Sequence, residues 1–169
     1  MKKILLLAVF TILLVLPSFA GTIDISGRAG IFTPTQAGAS PSLMYGVGAE
    51  CSITPNLSAR AAVETTTYSA NNVQYTYTPI TLDLIYHQTF AGILIPYFGA
   101  GVSYNSRSVG GVSSQTTGVQ AEAGLKFVLG GFSSGAEIRY MVPDINNMNS
   151  GSTTYNGYAT GSFAQSFHF

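Results

Sequence analysis

The sequence predicts an all-β chain folded as an eight-stranded antiparallel up-and-down transmembrane β-barrel. Three observations carry that prediction. Apolar and polar residues alternate with period two along segment after segment, as on a strand with two unlike walls. Only 8% of the 169 residues are charged while 46% are apolar, against about 25% charged in ordinary soluble domains. Turn residues divide the chain so as to leave eight spans, each long enough for the roughly 9–11 residues a tilted strand needs to cross a bilayer.

The N-terminal residues stand apart from this pattern. Lys2 and Lys3 precede an apolar run from Ile4 to Leu16, interrupted only by Thr11, and the small residues Ser18 and Ala20 follow. This is the layout of a secretory signal peptide over 1–20, cleaved after Ala20. It leaves 21–169 as one barrel domain. Gly21 rather than Cys at the new terminus gives no lipoprotein anchor. The remainder holds five basic and seven acidic groups, with no basic patch of the kind nucleic-acid binding requires. Cys51 is the single cysteine, so no internal disulfide can hold an exported fold together.

The elements follow in order. Strand one, 22–33, sets Ile23, Ile25, Ala29 and Ile31 against Asp24, Ser26 and Arg28. After the polar connection 34–41, strand two, 42–53, opposes Leu43, Tyr45, Val47, Ala49 and Cys51 to Gly46, Gly48 and Glu50. Pro55-Asn56 marks a tight turn. Strand three, 57–69, places Leu57, Ala59, Ala61 and Val63 opposite Arg60 and Glu64, and Asn71-Asn72 forms a polar tip. Strand four, 73–88, puts Ile80, Leu82, Leu84 and Tyr86 against Thr81, Asp83 and His87. An apolar connection, Thr89 to Ile93, leads to the glycine-rich strand five, 94–105. The segment 106–116 reads as a long polar loop. Strand six, 117–129, alternates most cleanly, with Val119, Ala121, Ala123, Leu125 and Phe127 opposite Gln120, Glu122, Gly124 and Lys126. Gly130-Gly131 turns the chain into strand seven, 132–142, where Ala136, Ile138 and Tyr140 oppose Gly135, Glu137 and Arg139. A third polar loop, 143–153, precedes strand eight, 154–169.

Ten of the twelve charges beyond residue 20 therefore lie on polar strand faces, and only Arg107 and Asp144 fall in loops. Alternation alone permits either face inside. The polar face is mostly Gly, Ser, Thr and Gln, a poor soluble surface but a good filling for a narrow lumen. Its charges are nearly balanced: Asp24, Glu50, Glu64, Asp83, Glu122 and Glu137 against Arg28, Arg60, Lys126 and Arg139. Buried charges need partners, so these ten are expected to form a lumen ion-pair network, with Glu50 and Glu64 serving Arg28 and Arg60. Aromatic residues collect toward strand ends, as in the girdles of membrane barrels. Tyr45, Tyr68, Tyr75, Tyr77, Tyr104, Tyr140 and Tyr155 would mark the long-loop end. Tyr86, Phe127, Phe132, Phe167 and Phe169 would mark the tight-turn end. Cys51 would face lipid.

From Pro96 to Tyr104 (PYFGAGVSY) and in the ending FAQSFHF, the chain resembles the small outer-membrane β-barrel family typified by the transmembrane domain of OmpA and by OmpX. The resemblance covers roughly 22–169 and is one of pattern. It implies that Phe163, Phe167 and Phe169 form the signal read by the barrel-assembly machinery, although Gln165 departs from the usual apolar residue. It further implies location in the bacterial outer membrane, contact with outer-membrane lipid and lipopolysaccharide, and loops able to meet host or surface ligands. A structural or surface-interaction role follows, such as adhesion or envelope integrity, with a narrow pore or a lipid A-modifying enzyme as alternatives. Asp83, His87 and His168 lie toward one end but match no hydrolase triad. Two His and one Cys give no metal-ligand spacing. The expectation is a non-enzymatic chain without cofactor.

Overall fold

The computed structural model describes residues 23–90, 92–129, 132–147 and 156–167. Residues 1–20, the expected signal peptide, lie outside the described residues, as do His168 and Phe169. The strands are β1 (Ile23–Pro34), β2 (Ser42–Thr54), β3 (Leu57–Ala70), β4 (Val73–His87), β5 (Leu94–Val109), β6 (Val112–Leu129), β7 (Phe132–Val142) and β8 (Asn156–Phe167). Each pairs antiparallel with the next. The backbone of β8 pairs with both β7 and β1, so the sheet closes on itself. Closure gives every central backbone group a neighbour and leaves no sheet edge along the wall.

The alternation resolves into inside and outside. On β7, Ile138 is 72% exposed while the next residue, Arg139, is 1% exposed. The same contrast runs round the wall. Ile25, Val47, Leu82, Leu84, Phe98 and Leu125 are exposed, whereas Arg28, Arg60, Glu64, Asp83, Glu122 and Glu137 are buried. The apolar wall therefore faces out and the charged wall faces in, opposite to a water-soluble sandwich or barrel.

One connection differs from expectation. The segment 106–116 is not a loop. The ladder continues through Ser106↔Gln115, Arg107↔Ser114 and Ser108↔Ser113 to Val109↔Val112. Gly110 and Gly111 alone make the turn, at φ 55° and 85°. Paired positive φ values are those of a type I′ hairpin, which matches strand twist and strongly prefers glycine or asparagine. Asn71 and Asn72 do the same between β3 and β4, at φ 50° and 63°. Long connections at this end are thus confined to those after β1 and β7. The first folds back on the rim, where Ser40 N donates to Ser69 O at 3.0 Å and Asn71 N to Gly38 O at 3.3 Å.

The expected aromatic girdle also divides. Tyr45 and Tyr140 are exposed on the outer face, and Tyr86 meets Phe98 there with ring centroids 5.2 Å apart. Tyr68 and Tyr77 are buried inside instead. They share strand parity with Glu64 and Asp83, so the period that turns the charges inward turns these rings inward too. Tyr155 lies outside the described residues. Cys51 keeps the parity of Val47 and Ala49, but at 7% exposure it is covered rather than open to the surroundings.

Candidate functional site

The inward faces of β1, β3, β6 and β7 converge on one layer of charge. Arg139 donates Nη1 to Glu64 Oε2 at 2.6 Å, Nε to Glu122 Oε2 at 3.1 Å and Nη2 to Glu137 Oε1 at 2.7 Å. Arg28 donates Nε to Glu64 Oε1 at 2.9 Å and also reaches Glu137. Arg60 donates to Glu137 Oε2 at 2.7 Å and to Glu122. Arg139 thus binds all three glutamates, and Glu137 receives all three guanidiniums. A guanidinium presents five donors in a planar fork, and this suits it to sharing among several carboxylates. Tyr97 completes the layer, its hydroxyl donating to Glu137 Oε2 at 2.9 Å while Arg60 stands 5.5 Å above its ring.

Bare backbone makes room for this. A Cβ on Gly124 would stand 2.5 Å from the Tyr97 ring, and one on Gly99 would stand 2.9 Å from Glu122 Oε1. In a barrel this narrow, side chains must fill the interior, and glycine opposite a long side chain allows the fit.

The remaining sequence-predicted charges sit apart. Lys126 Nζ pairs with Asp24 Oδ2 at 2.7 Å toward the tight-turn end, where both side chains are about one-fifth exposed. Glu50 accepts from Ser58 Oγ at 2.7 Å rather than from an arginine. Arg60 and Glu64, although close in sequence on one face, take different partners. Asp83 lies in no ion pair among the described residues and accepts from Gln120 Nε2. His87 is not joined to Asp83, and its Nδ1 has no hydrogen-bond partner among the described residues. Of the proposed assembly-signal residues, Phe163 and Phe167 lie on β8, opposite Gly27 and Ile23; Phe169 is outside the described residues.

A second layer, not anticipated from the sequence, lies inside the barrel toward the connections after β1 and β7. Phe32, Met44, Tyr68, Ala70, Tyr77 and Met141 form a buried apolar cluster with Ala39 and Tyr75 against it. Tyr77 OH donates to Asn105 Oδ1 at 2.6 Å, and Asn105 Nδ2 donates to the Pro143 carbonyl at 2.8 Å. Above them Arg107 stacks 4.1 Å over Tyr75 and donates to Gln36 Oε1 at 2.9 Å. Parity was the signal that could have found this layer: Phe32 shares a face with Arg28, and Met141 with Arg139.

Among the described residues no group of three or more His, Cys, Asp or Glu side chains could hold a metal ion. No protein-family model and no curated protein matches the chain. Solved structures do. Neisserial surface protein A (NspA) is 19% identical with a TM-score of 0.64, over 87% of this chain and 97% of that one. Ail, the attachment invasion locus protein of Yersinia pestis, is 12% identical with a TM-score of 0.57, over 87% and 97%. The outer membrane enzyme PagL is 16% identical with a TM-score of 0.54, over 84% and 98%. The chain has the fold of small outer-membrane β-barrel proteins, and at these identities the likeness extends to the fold alone.

Proposed function

We propose that residues 21–169 form an eight-stranded transmembrane barrel of the bacterial outer membrane, with a structural or surface-interaction role and no enzymatic activity. The observation that carries this reading is the inversion of the wall: apolar residues outward, ion pairs inward. A closed barrel satisfies its backbone internally and can present an apolar wall to lipid. The members of the charge layer and of the aromatic layer above it are almost wholly buried, which favours a sealed body over a conduit. Asp83 is engaged with Gln120 rather than His87, which favours a hydrogen-bonded lumen residue over a catalytic one. Contacts outside the membrane would then fall to the connection 34–41, the β5–β6 arm and the segment after β7. Lipopolysaccharide would surround the outer rim, and the barrel-assembly machinery would read the C-terminal aromatics after removal of the signal.

The test is electrophoretic migration of the protein extracted from outer membranes. A folded barrel migrates differently before and after boiling in detergent, and planar bilayers containing it carry no steady current. Recovery of the processed chain as a water-soluble monomer overturns the membrane reading. A persistent current overturns the sealed lumen.

A further inference from the structure

We propose that Asp83, Gln120 and Thr81 form a buried binding site for one small monovalent cation, for which sodium serves as the probe. The argument begins with charge. Among the buried side chains Arg28, Arg60 and Arg139 are positive, and Glu64, Glu122, Glu137 and Asp83 are negative. Every Asp, Glu, Lys and Arg of residues 23–167 is described, so no further charged side chain of that span balances the count. The three glutamates are shared among the arginines. The excess negative charge thus falls on Asp83, which is 1% exposed and in no ion pair. Arg60 is its cross-strand neighbour but gives its guanidinium to Glu122 and Glu137. An isolated buried carboxylate is costly unless neutralised.

The surrounding atoms are of the right kind. Asp83 Oδ2, Gln120 Oε1 and Thr81 Oγ1 are all buried and have no hydrogen-bond partner among the described residues. They are a carboxylate, an amide and a hydroxyl oxygen, the donor set that hard cations prefer. Thr81 and Asp83 are two residues apart on the inward face of β4. Asp83 and Gln120 stand either side of Gly101 in the ladder. A Cβ at Gly101 would collide with Asp83 Oδ1, so the glycine is what lets the carboxylate lie across β5 toward Gln120. The unpartnered Arg60 Nε is a donor, not a ligand, and its charge is already matched. Asp83 brings a single formal charge to these three oxygens, and one monovalent ion neutralises it.

The experiment uses the full folded chain recovered from membranes in detergent. Its thermal unfolding is followed by boiling-sensitive migration in sodium chloride and in choline chloride at equal ionic strength. Choline, a quaternary ammonium whose charge is shielded by its carbon substituents, cannot take oxygen ligands as sodium does. The wild type should unfold at a higher temperature in sodium. Asp83→Asn, neutral and of the same shape, should fold and lose the difference, and Thr81→Val should weaken it. Sodium-23 relaxation should show slow exchange in the wild type and none in Asp83→Asn. Equal unfolding temperatures in the two salts overturn the site, as does a sodium response that survives Asp83→Asn. A protonated carboxyl band in the infrared that vanishes in Asp83→Asn also overturns it, because a proton would then neutralise Asp83 in place of the ion. These outcomes leave the membrane reading untouched, since that reading stands or falls on extraction and migration.

Discussion

Val47→Arg probes the inverted wall most directly. Val47 is 57% exposed on the outer face of β2, opposite Gly27 and Val63. A strand rising roughly 3.4 Å per residue at a tilt near 45° climbs about 2.4 Å along the barrel axis per residue. Val47 then stands about 12 Å from the level of Ser42 and about 14 Å from that of Ile53, the middle of an apolar band about 25 Å tall. An arginine at the midplane of a barrel's lipid face costs about 2–4 kcal/mol, falling to about 0–1 kcal/mol at the interface. Leu43, equally exposed but next to Ser42, is the matched control. Urea unfolding in lipid vesicles, read by the folded fraction in unboiled samples and extrapolated linearly, should therefore show a loss of about 2–4 kcal/mol for Val47→Arg and at most about 1 kcal/mol for Leu43→Arg. If both variants fall within about 0.5 kcal/mol of the wild type, as exposed surface substitutions in water usually do, the outer face meets water and the inversion argument fails.

The interior and the β5–β6 arm give four further expectations. Arg139→Met leaves three glutamates short of a shared partner and should cost about 3–5 kcal/mol, roughly two to four orders of magnitude in the folding equilibrium. Lys126→Met at the one-fifth-exposed pair with Asp24 should cost about 1 kcal/mol or less in the same unfolding assay. Gly124→Ala sets a methyl 2.5 Å from the Tyr97 ring and 2.6 Å from the Ala136 carbonyl oxygen. It should lose about 1–3 kcal/mol as an overpacked site, with partial recovery in the Tyr97→Ala background. Gly111→Val places a β-branched residue at φ 85°, a strain of about 1–2 kcal/mol confined to the arm. Amide exchange should speed up at Val109 to Val112 while the global midpoint stays put.

Much of the wall was legible in the sequence because period two is a strong signal when the two faces differ. Strand six, with Val119, Ala121 and Ala123 against Gln120 and Glu122, reads directly. The lumen near Arg139 was legible only as a set of charges. Alternation places Glu64 and Arg60 on one face but cannot say that Arg60 crosses to Glu122 and Glu137, since those partners lie across the lumen rather than along the ladder. The aromatic layer was misread for a related reason. Tyrosine suits a membrane interface and a packed interior equally, having an apolar body and a polar tip. Composition drew Tyr68 and Tyr77 outward, whereas their parity with Glu64 and Asp83 pointed inward. The β5–β6 arm was hidden by its polarity. Ser106 to Thr116 lacks the apolar face that marks a strand, yet Gly110-Gly111 carries the hairpin signal by itself.

The two layers of the lumen differ in how they can fix strand register. A slip of one residue turns every side chain of a strand to the opposite wall. In the charged layer such a slip of β7 would carry Arg139 and Glu137 outward and Ile138 into the ring of carboxylates, at about 2–4 kcal/mol for the arginine alone if the wall faces lipid. A wholly apolar filling would make the inner and outer faces alike and remove that penalty. Buried ion networks often contribute little net stability over apolar packing, so the discrimination against slipped pairings is the larger consequence of Arg28, Arg60 and Arg139. In the aromatic layer the chemistry no longer discriminates, because Phe32 and Met141 are as apolar as Ile31 and Tyr140 beside them. There the register of β3 with β4 and of β5 with β6 is held by the two-residue turns, Asn71-Asn72 and Gly110-Gly111, which permit one pairing and no other of the same loop length. Tight hairpins therefore stand where the charge contrast ends, and charge governs where the strands are far from their turns.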